Sequence, residues 1–236
     1  MRKLLGILAF LLLAGAFWLF LDRSVFLIRD VEVACDQAVD ADRVIRASGI
    51  ELGARMRALD PALVARKTES TGEFAFVAVD KRYPSAVRLT VRLRVPAAMA
   101  EAGGLVVLMD KEGCVISATP AAPDADAVYV TGLEVRSYDI GRRIAANEDR
   151  LSAMREVISA LDGAGARGHV SELNVADVNA LYIYSRTGIL VILGDEGEME
   201  EKIVLMKCVL EDLESRGETS GRLDVSSGDK ADFSGS

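Results

Sequence analysis

The chain has 236 residues, a net charge of −8 and a single histidine. That length holds two modest domains or one large one. The acidic balance removes any electrostatic reason to seek nucleic acid, and one histidine with three scattered cysteines excludes His/Cys metal cages.

The N-terminus comes first. Arg2 and Lys3 form a short basic tail over residues 1–3, and Leu4 to Leu21 then runs eighteen residues without a charge. At roughly 1.5 Å per helical residue this run is about 27 Å long, close to the roughly 30 Å hydrocarbon core of a bilayer. The pattern predicts a single transmembrane anchor over 4–21, with Leu4, Leu12 and Leu21 in the apolar stretch and Trp18 near the far interface. Positive charge ahead of the run places the N-terminus in the cytoplasm and everything after it outside. Ala14-Gly15-Ala16 spells a small-x-small cleavage site, but cleavage there would leave Phe-Trp-Leu-Phe-Leu exposed at the new terminus, so the uncleaved anchor is the preferred reading. Without the +2 of Arg2 and Lys3 and the uncharged run, residues 22–236 carry −8 − 2 = −10.

After Asp22 the elements follow in order. "FLIRDVEVAC" predicts a strand with Ile28, Val31 and Val33 on one side and Arg29 and Glu32 on the other. "VDADRVIRASG" predicts a helix capped by Asp40 and closed by Gly49. "ALDPALVARKTES" repeats the device, with Asp60 as cap, Pro61 in the first turn and Leu63 and Val64 buried. "GEFAFVAVDKRYP" reads as a strand with Phe74, Phe76 and Ala78 on one face. Beyond the Tyr83-Pro84-Ser85 turn, Val87, Leu89, Val91, Leu93 and Val95 alternate with Arg88, Thr90, Arg92 and Arg94. Period two over nine residues predicts a strand with one buried and one wet face, so the arginines are read as a solvated face.

The second half is richer in strands. "LVVLMD" and "CVISA" flank Lys111-Glu112-Gly113 as a tight hairpin. "VYVTG" predicts a short strand, and "ANEDRLSAMREVISALDG" an amphipathic helix with Leu151, Met154, Ile158 and Leu161 inward, closed by Gly163. "VSELNVAD", "ALYIYSR" and "ILVILG" predict three consecutive strands. "EMEEKIVLMKCVLEDLESRG" predicts a last helix with Met199, Ile203, Met206, Leu210 and Leu213 buried and glutamates at its positive end. Arg222 to Ser227 predicts a final strand, and 229–236 reads as a frayed tail.

No constellation supports an enzyme. His169 sits alone among glycines, and no G-x-S-x-G occurs. "GDEGEMEE" lacks the alternating ligand spacing of a calcium loop, so its carboxylates are read as helix-start electrostatics. Gly103-Gly104 has no following helix or lysine to make a phosphate loop. Cys35, Cys114 and Cys208 are read as buried free thiols, with one disulfide as the alternative. Binding through surface remains: a last strand followed only by a frayed tail offers free backbone groups along its edge, or merely ends a sheet.

These segments together resemble the FtsQ/DivIB family of bacterial division proteins. "FLIRDVEVACDQAVDADRVI" is similar to the opening of that family's POTRA domain, and "VAVDKRYPSAVRLTVRLRVPAA" to its closing hairpin. "LVVLMDKEGCVI" is similar to the start of its β domain, and "LVILGDEGEMEEKIVLMKCVLEDL" with "GRLDVSS" to its strand–Gly–helix–strand ending. The resemblance implies an α+β architecture of one transmembrane helix, a β-α-α-β-β POTRA domain over 24–97, and a mixed domain over 98–228. That second domain would hold a predominantly antiparallel sheet and two helices, followed by a flexible tail over 229–236. It implies a bitopic, single-pass scaffold of the inner (cytoplasmic) membrane at the division septum, with no cofactor, small-molecule substrate or catalysis. The POTRA hairpin would use Tyr83, Pro84, Arg88, Arg92 and Arg94. The end of the β domain would hold FtsB/FtsL-type partners at Leu223, Asp224, Val225, Ser226 and Ser227, with Lys230 and Phe233 beyond, and so coordinate septal peptidoglycan synthesis. The rival is a POTRA-type periplasmic chaperone of secretion or outer-membrane assembly that binds client strands.

Overall fold

The computed structural model describes residues 6, 7, 9–15, 18 and 25–235. Residues 9–15 are helical, and Leu12 and Trp18 are exposed. The expected anchor over 4–21 lies partly outside the described residues, Leu4 and Leu21 included. Among the described residues no helix is long and apolar enough to cross a membrane. The chain divides into two compact units, Met1–Leu93 and Arg94–Ser236.

The first unit follows β1 (Asp30–Cys35), α1 (Ala41–Ser48), α2 (Pro61–Glu69), β2 (Phe74–Arg82) and β3 (Ala86–Leu93). Its three-stranded sheet has the order β1-β3-β2, with β1 parallel and β2 antiparallel to β3. Both helix starts form as the sequence dictates: Asp40 accepts from Asp42 N–H and Asp60 from Ala62 N–H, each satisfying an otherwise orphaned donor. Gly49 takes the left-handed conformation that ends α1. Val87, Leu89 and Val91 of β3 are buried against Ile28, Val44 and Phe74.

Three expectations for this unit are corrected. A bulge between Phe76 and Ala78 leaves Val77 half exposed and moves Val79, not Ala78, onto the core side with Phe76. Leu63 is exposed, because only Val64 and Thr68 of α2 face the sheet. The alternation of β3 stops at Leu93: Val95 is 50% exposed, whereas the Arg94 side chain is only 8% exposed and pairs with Asp110. Arg94 therefore belongs to the next unit rather than to a solvated hairpin face. Arg88 does lie on that face, ion-paired to Glu32 at 3.0 Å, and Arg92 is exposed. Tyr83 is exposed and meets the Phe26 ring edge-on at 5.6 Å, next to Pro84 at the tip of the hairpin.

The second unit adds β4 (Ala98–Ala102), β5 (Leu105–Met109), β6 (Val115–Thr119), β7 (Val128–Thr131), α3 (Glu148–Ala164), β8 (Val170–Asn174), β9 (Leu181–Ser185), β10 (Ile189–Gly194), α4 (Met199–Ser215), β11 (Gly221–Asp224) and β12 (Asp232–Gly235). All the strands form one nine-stranded sheet in the order β12-β11-β10-β9-β8-β7-β4-β5-β6. Five of the eight pairings are antiparallel, which makes the sheet predominantly so. The helices bury Leu151, Met154, Ile158 and Leu161 of α3, and Ile203, Met206 and Leu210 of α4, in one core with the sheet. Asn147 caps α3 through the N–H groups of Asp149 and Arg150, and Gly165, not Gly163, closes it.

Two strands of this unit are not among the sequence expectations. β4 is built on alanines, which have weak strand propensity, yet Ala98 and Ala100 are fully buried because the strand runs inside the sheet between β5 and β7. β12 replaces the expected frayed tail. The thiols are free, but none is buried as expected: Cys35 and Cys114 are half-buried and Cys208 is exposed. It follows the exposed Val204 by one helical turn on the outer side of α4, away from the buried stripe. Cys114 lies beside Asp110 and Arg94, and burial with the Asp110 charge pushes its thiol up, so it stays protonated.

Candidate functional site

The sheet of the second unit has two ends. At β6 the outer side is engaged at the first residue of the strand: Val115 N–H donates to Arg142 C=O, and Gly141 N–H donates to Val115 C=O. At the other end β12 pairs with β11 alone, and among the described residues nothing pairs with its outer side. An unpaired ladder of this kind offers backbone donors and acceptors to an incoming strand.

This geometry corrects the expected edge. The strand beginning at Arg222 is zipped on both flanks, parallel to β10 and antiparallel to β12. Leu223 and Val225 are fully buried in the helix-side core and cannot meet a partner. The free edge belongs to β12, which contains Phe233. Its signal in the sequence was one aromatic in a polar stretch.

Local chemistry holds β12 in place. Phe233 stands opposite Leu223 and packs on the core. Its ring lies over Gly221 (φ 144°), where an added Cβ would come within 2.7 Å of the ring, so only glycine leaves room. Asp224 accepts from Ser226 N–H at 3.1 Å and Ser226 Oγ at 2.7 Å, which shapes the turn. The Ser226 hydroxyl bond holds the Asp224 carboxyl below its usual range, against a smaller opposing effect of burial and with help from Arg222 at 3.5 Å. Ser227 Oγ donates to Lys230 C=O across the turn, and both side chains are exposed.

The turn before α4 supports the same corner. Lys202 is 2% exposed and its ammonium donates to Asp195 C=O at 3.0 Å and to Asp195 Oδ1 at 2.9 Å. That contact holds the Asp195 carboxyl below its usual range. Gly194 (φ 73°) lets Ser226 approach so closely that a Cβ there would sit 2.9 Å from the serine Cβ.

The sheet face away from the helices stays open at this end. Ser234, Arg222, Leu190, Tyr184, Glu172 and Tyr129 form one row across β12 to β7, and Asp232, Asp224, Ile192, Tyr182, Asn174 and Thr131 form the next. Tyr182 and Tyr184 meet edge to face at 5.8 Å, and Tyr184 is 38% exposed.

No comparable arrangement exists for chemistry among the described residues. His169 faces Glu214 through Nδ1 at 3.4 Å and Glu211 through Nε2 at 3.8 Å, so the two carboxylates approach different nitrogens and do not converge. Among the described residues no group of three or more His, Cys, Asp or Glu side chains could hold a metal ion.

Fold and edge together define an α+β protein of two units whose larger unit presents a one-sided sheet with an open terminal strand. No family model matches the chain. It is 28% identical over 172 residues to the cell division protein FtsQ of Anaeromyxobacter sp. (strain K), covering 72% of this chain and 58% of that protein. It is 29% identical over 119 residues to FtsQ of Streptomyces bingchenggensis (strain BCW-1), covering 50% of this chain and 45% of that one. The chain thus spans about half the length of the curated relatives it matches. The major extracytoplasmic domain of the cell division protein DivIB from Geobacillus stearothermophilus matches 52% of this chain and 95% of its own, at 14% identity and a TM-score of 0.32. The chain is thus similar in sequence to curated bacterial cell division proteins named FtsQ.

Proposed function

We propose that this chain is a bitopic scaffold of the bacterial division machinery that works by docking other polypeptides. The observation that carries the reading is the open β12 edge on a one-sided sheet. In this reading residues 4–21 anchor the chain in the cytoplasmic membrane, with the N-terminus in the cytoplasm and both units outside at the septum. The first unit is the POTRA domain, on the strength of its β-α-α-β-β order. β12 accepts a strand from FtsB/FtsL-type partners, main-chain bonds giving affinity and alternate side chains giving choice, and the assembly coordinates septal peptidoglycan synthesis.

The test is recovery of the partner pair on the intact protein. Gly235→Pro spoils the edge, because strand alternation turns the Ser234 N–H toward Arg222 and the Gly235 N–H outward, where proline supplies no donor and its ring crowds an incoming strand. Recovery should fall roughly tenfold, the worth of one or two hydrogen bonds. Undiminished recovery removes β12 from the proposal, and capture of unfolded outer-membrane clients instead favours the chaperone reading.

A further inference from the structure

Charge is divided unevenly along this chain. Residues 1–93 hold 14 basic and 11 acidic side chains, a net +3, whereas residues 94–236 hold 14 basic and 25 acidic ones, a net −11. The open edge lies in the acidic unit, and its own side chains repeat the bias. Asp232 of β12 sits directly opposite Asp224 of β11 on the open face. Like charges placed directly across a ladder repel. Arg222 answers Asp224 alone, at 3.5 Å, and among the described residues Asp232 has no ion-pair partner. The row beyond Asp224 continues through Ile192 to Tyr182, so apolar and aromatic surface adjoins the two carboxylates.

We infer that the strand docking on β12 carries a lysine or arginine at the position facing Asp232. A strand added there puts one side chain beside Asp232 on the open face, at the ordinary cross-strand spacing of about 5 Å. A cation at that position answers Asp232 and offsets its repulsion with Asp224; a carboxylate makes three like charges in one row. The next position on the same face meets Ser234, which sets no charge. Arginine is the better fit of the two, since its planar guanidinium can pair with a carboxylate through two parallel N–H bonds. The partner class is therefore a basic, β-prone segment. The inference rests on β12 being the docking edge, and the experiment separates the two.

Three synthetic strand-forming peptides, identical except for arginine, glutamine or glutamate at the face-directed position, serve as probes for the full chain. Affinity is read by fluorescence anisotropy and the binding place by amide exchange at residues 232–235. Arginine should bind roughly threefold tighter than glutamine, with glutamate weakest. The order should flatten in about 0.5 M salt and on Asp232→Asn, and reverse on Asp232→Lys. Equal protection of 232–235 by all three peptides overturns the charge inference and leaves the docking edge standing. Protection of 232–235 by none of them overturns both.

Discussion

The two ends of the second unit hold the same pair of residue types in opposite surroundings. Arg94 and Asp110, near its start, are 8% and 11% exposed; Arg222 and Asp224, near its finish, are 60% and 35% exposed. The first pair sits out of water, with Asp110 also accepting from the N–H groups of Glu112 and Cys114, and with the Arg94 Nε lacking a partner. The second pair is wet and next to the open edge. Burial, not residue type, assigns the roles: the dry pair holds the β5–β6 turn to the beginning of the unit, and the wet pair leaves charge available at the surface.

The largest effect that would break this comparison comes from Arg94→Ala. Stranding Asp110 in a dry site should lower the urea stability of the second unit by about 3–5 kcal/mol, and joint replacement by Met and Leu should recover much of that loss. A single-mutant cost below about 1 kcal/mol would make the two pairs equivalent. Next is Lys202→Ala, which removes a buried ammonium from Asp195 and should cost roughly 1–3 kcal/mol in the same titration. Gly221→Val forces a β-branched residue to φ 144° and into the Phe233 ring, a strain of roughly 1–3 kcal/mol. That strain should appear as faster amide exchange confined to β12. Arg222→Ala sharpens the contrast from the other side, with an expected change under about 0.5 kcal/mol.

The smallest effect is a dependence on pH. Asp224 has its folded pKa held below the ordinary value, chiefly by the Ser226 hydroxyl. Its contribution is therefore present above the unfolded carboxylate pKa of about 3.9 and is lost as pH falls through the lower folded value. Asp36 and Asp195 are lowered too and act with the same sign, so the informative quantity is a difference. The gap between the wild type and Asp224→Asn should close in acid and be constant from neutral pH upward. A gap that widens in acid contradicts the assignment.

Much of this was legible in the sequence where a short-range device fixed it. Asp40, Gly49 and Asp60 act through groups a few residues away, and the apolar stripes of α3 and α4 need only helical periodicity. The failures share a physical cause. Arg94 follows seven residues of strict alternation, but its partner Asp110 lies sixteen positions on, so nothing local announces that it turns inward. The bulge at Val77 shifts the sides of β2 without leaving a break in composition. β4 is alanine-rich and is held between β5 and β7, the second of which follows β6 in the chain. The free edge lies one strand later than the sequence suggests because the pairing of β12 depends on a single ring fitting a glycine twelve residues upstream. That fit is invisible until the two strands lie side by side.

The Phe233–Gly221 contact also makes the last strand a detachable flap. A single aromatic ring is its hold on the interior, so lifting residues 232–235 uncovers little grease and leaves the other eight strands undisturbed. Occupancy of the edge should then register as a local tightening, with slower hydrogen exchange in the final residues and an unchanged melting profile elsewhere.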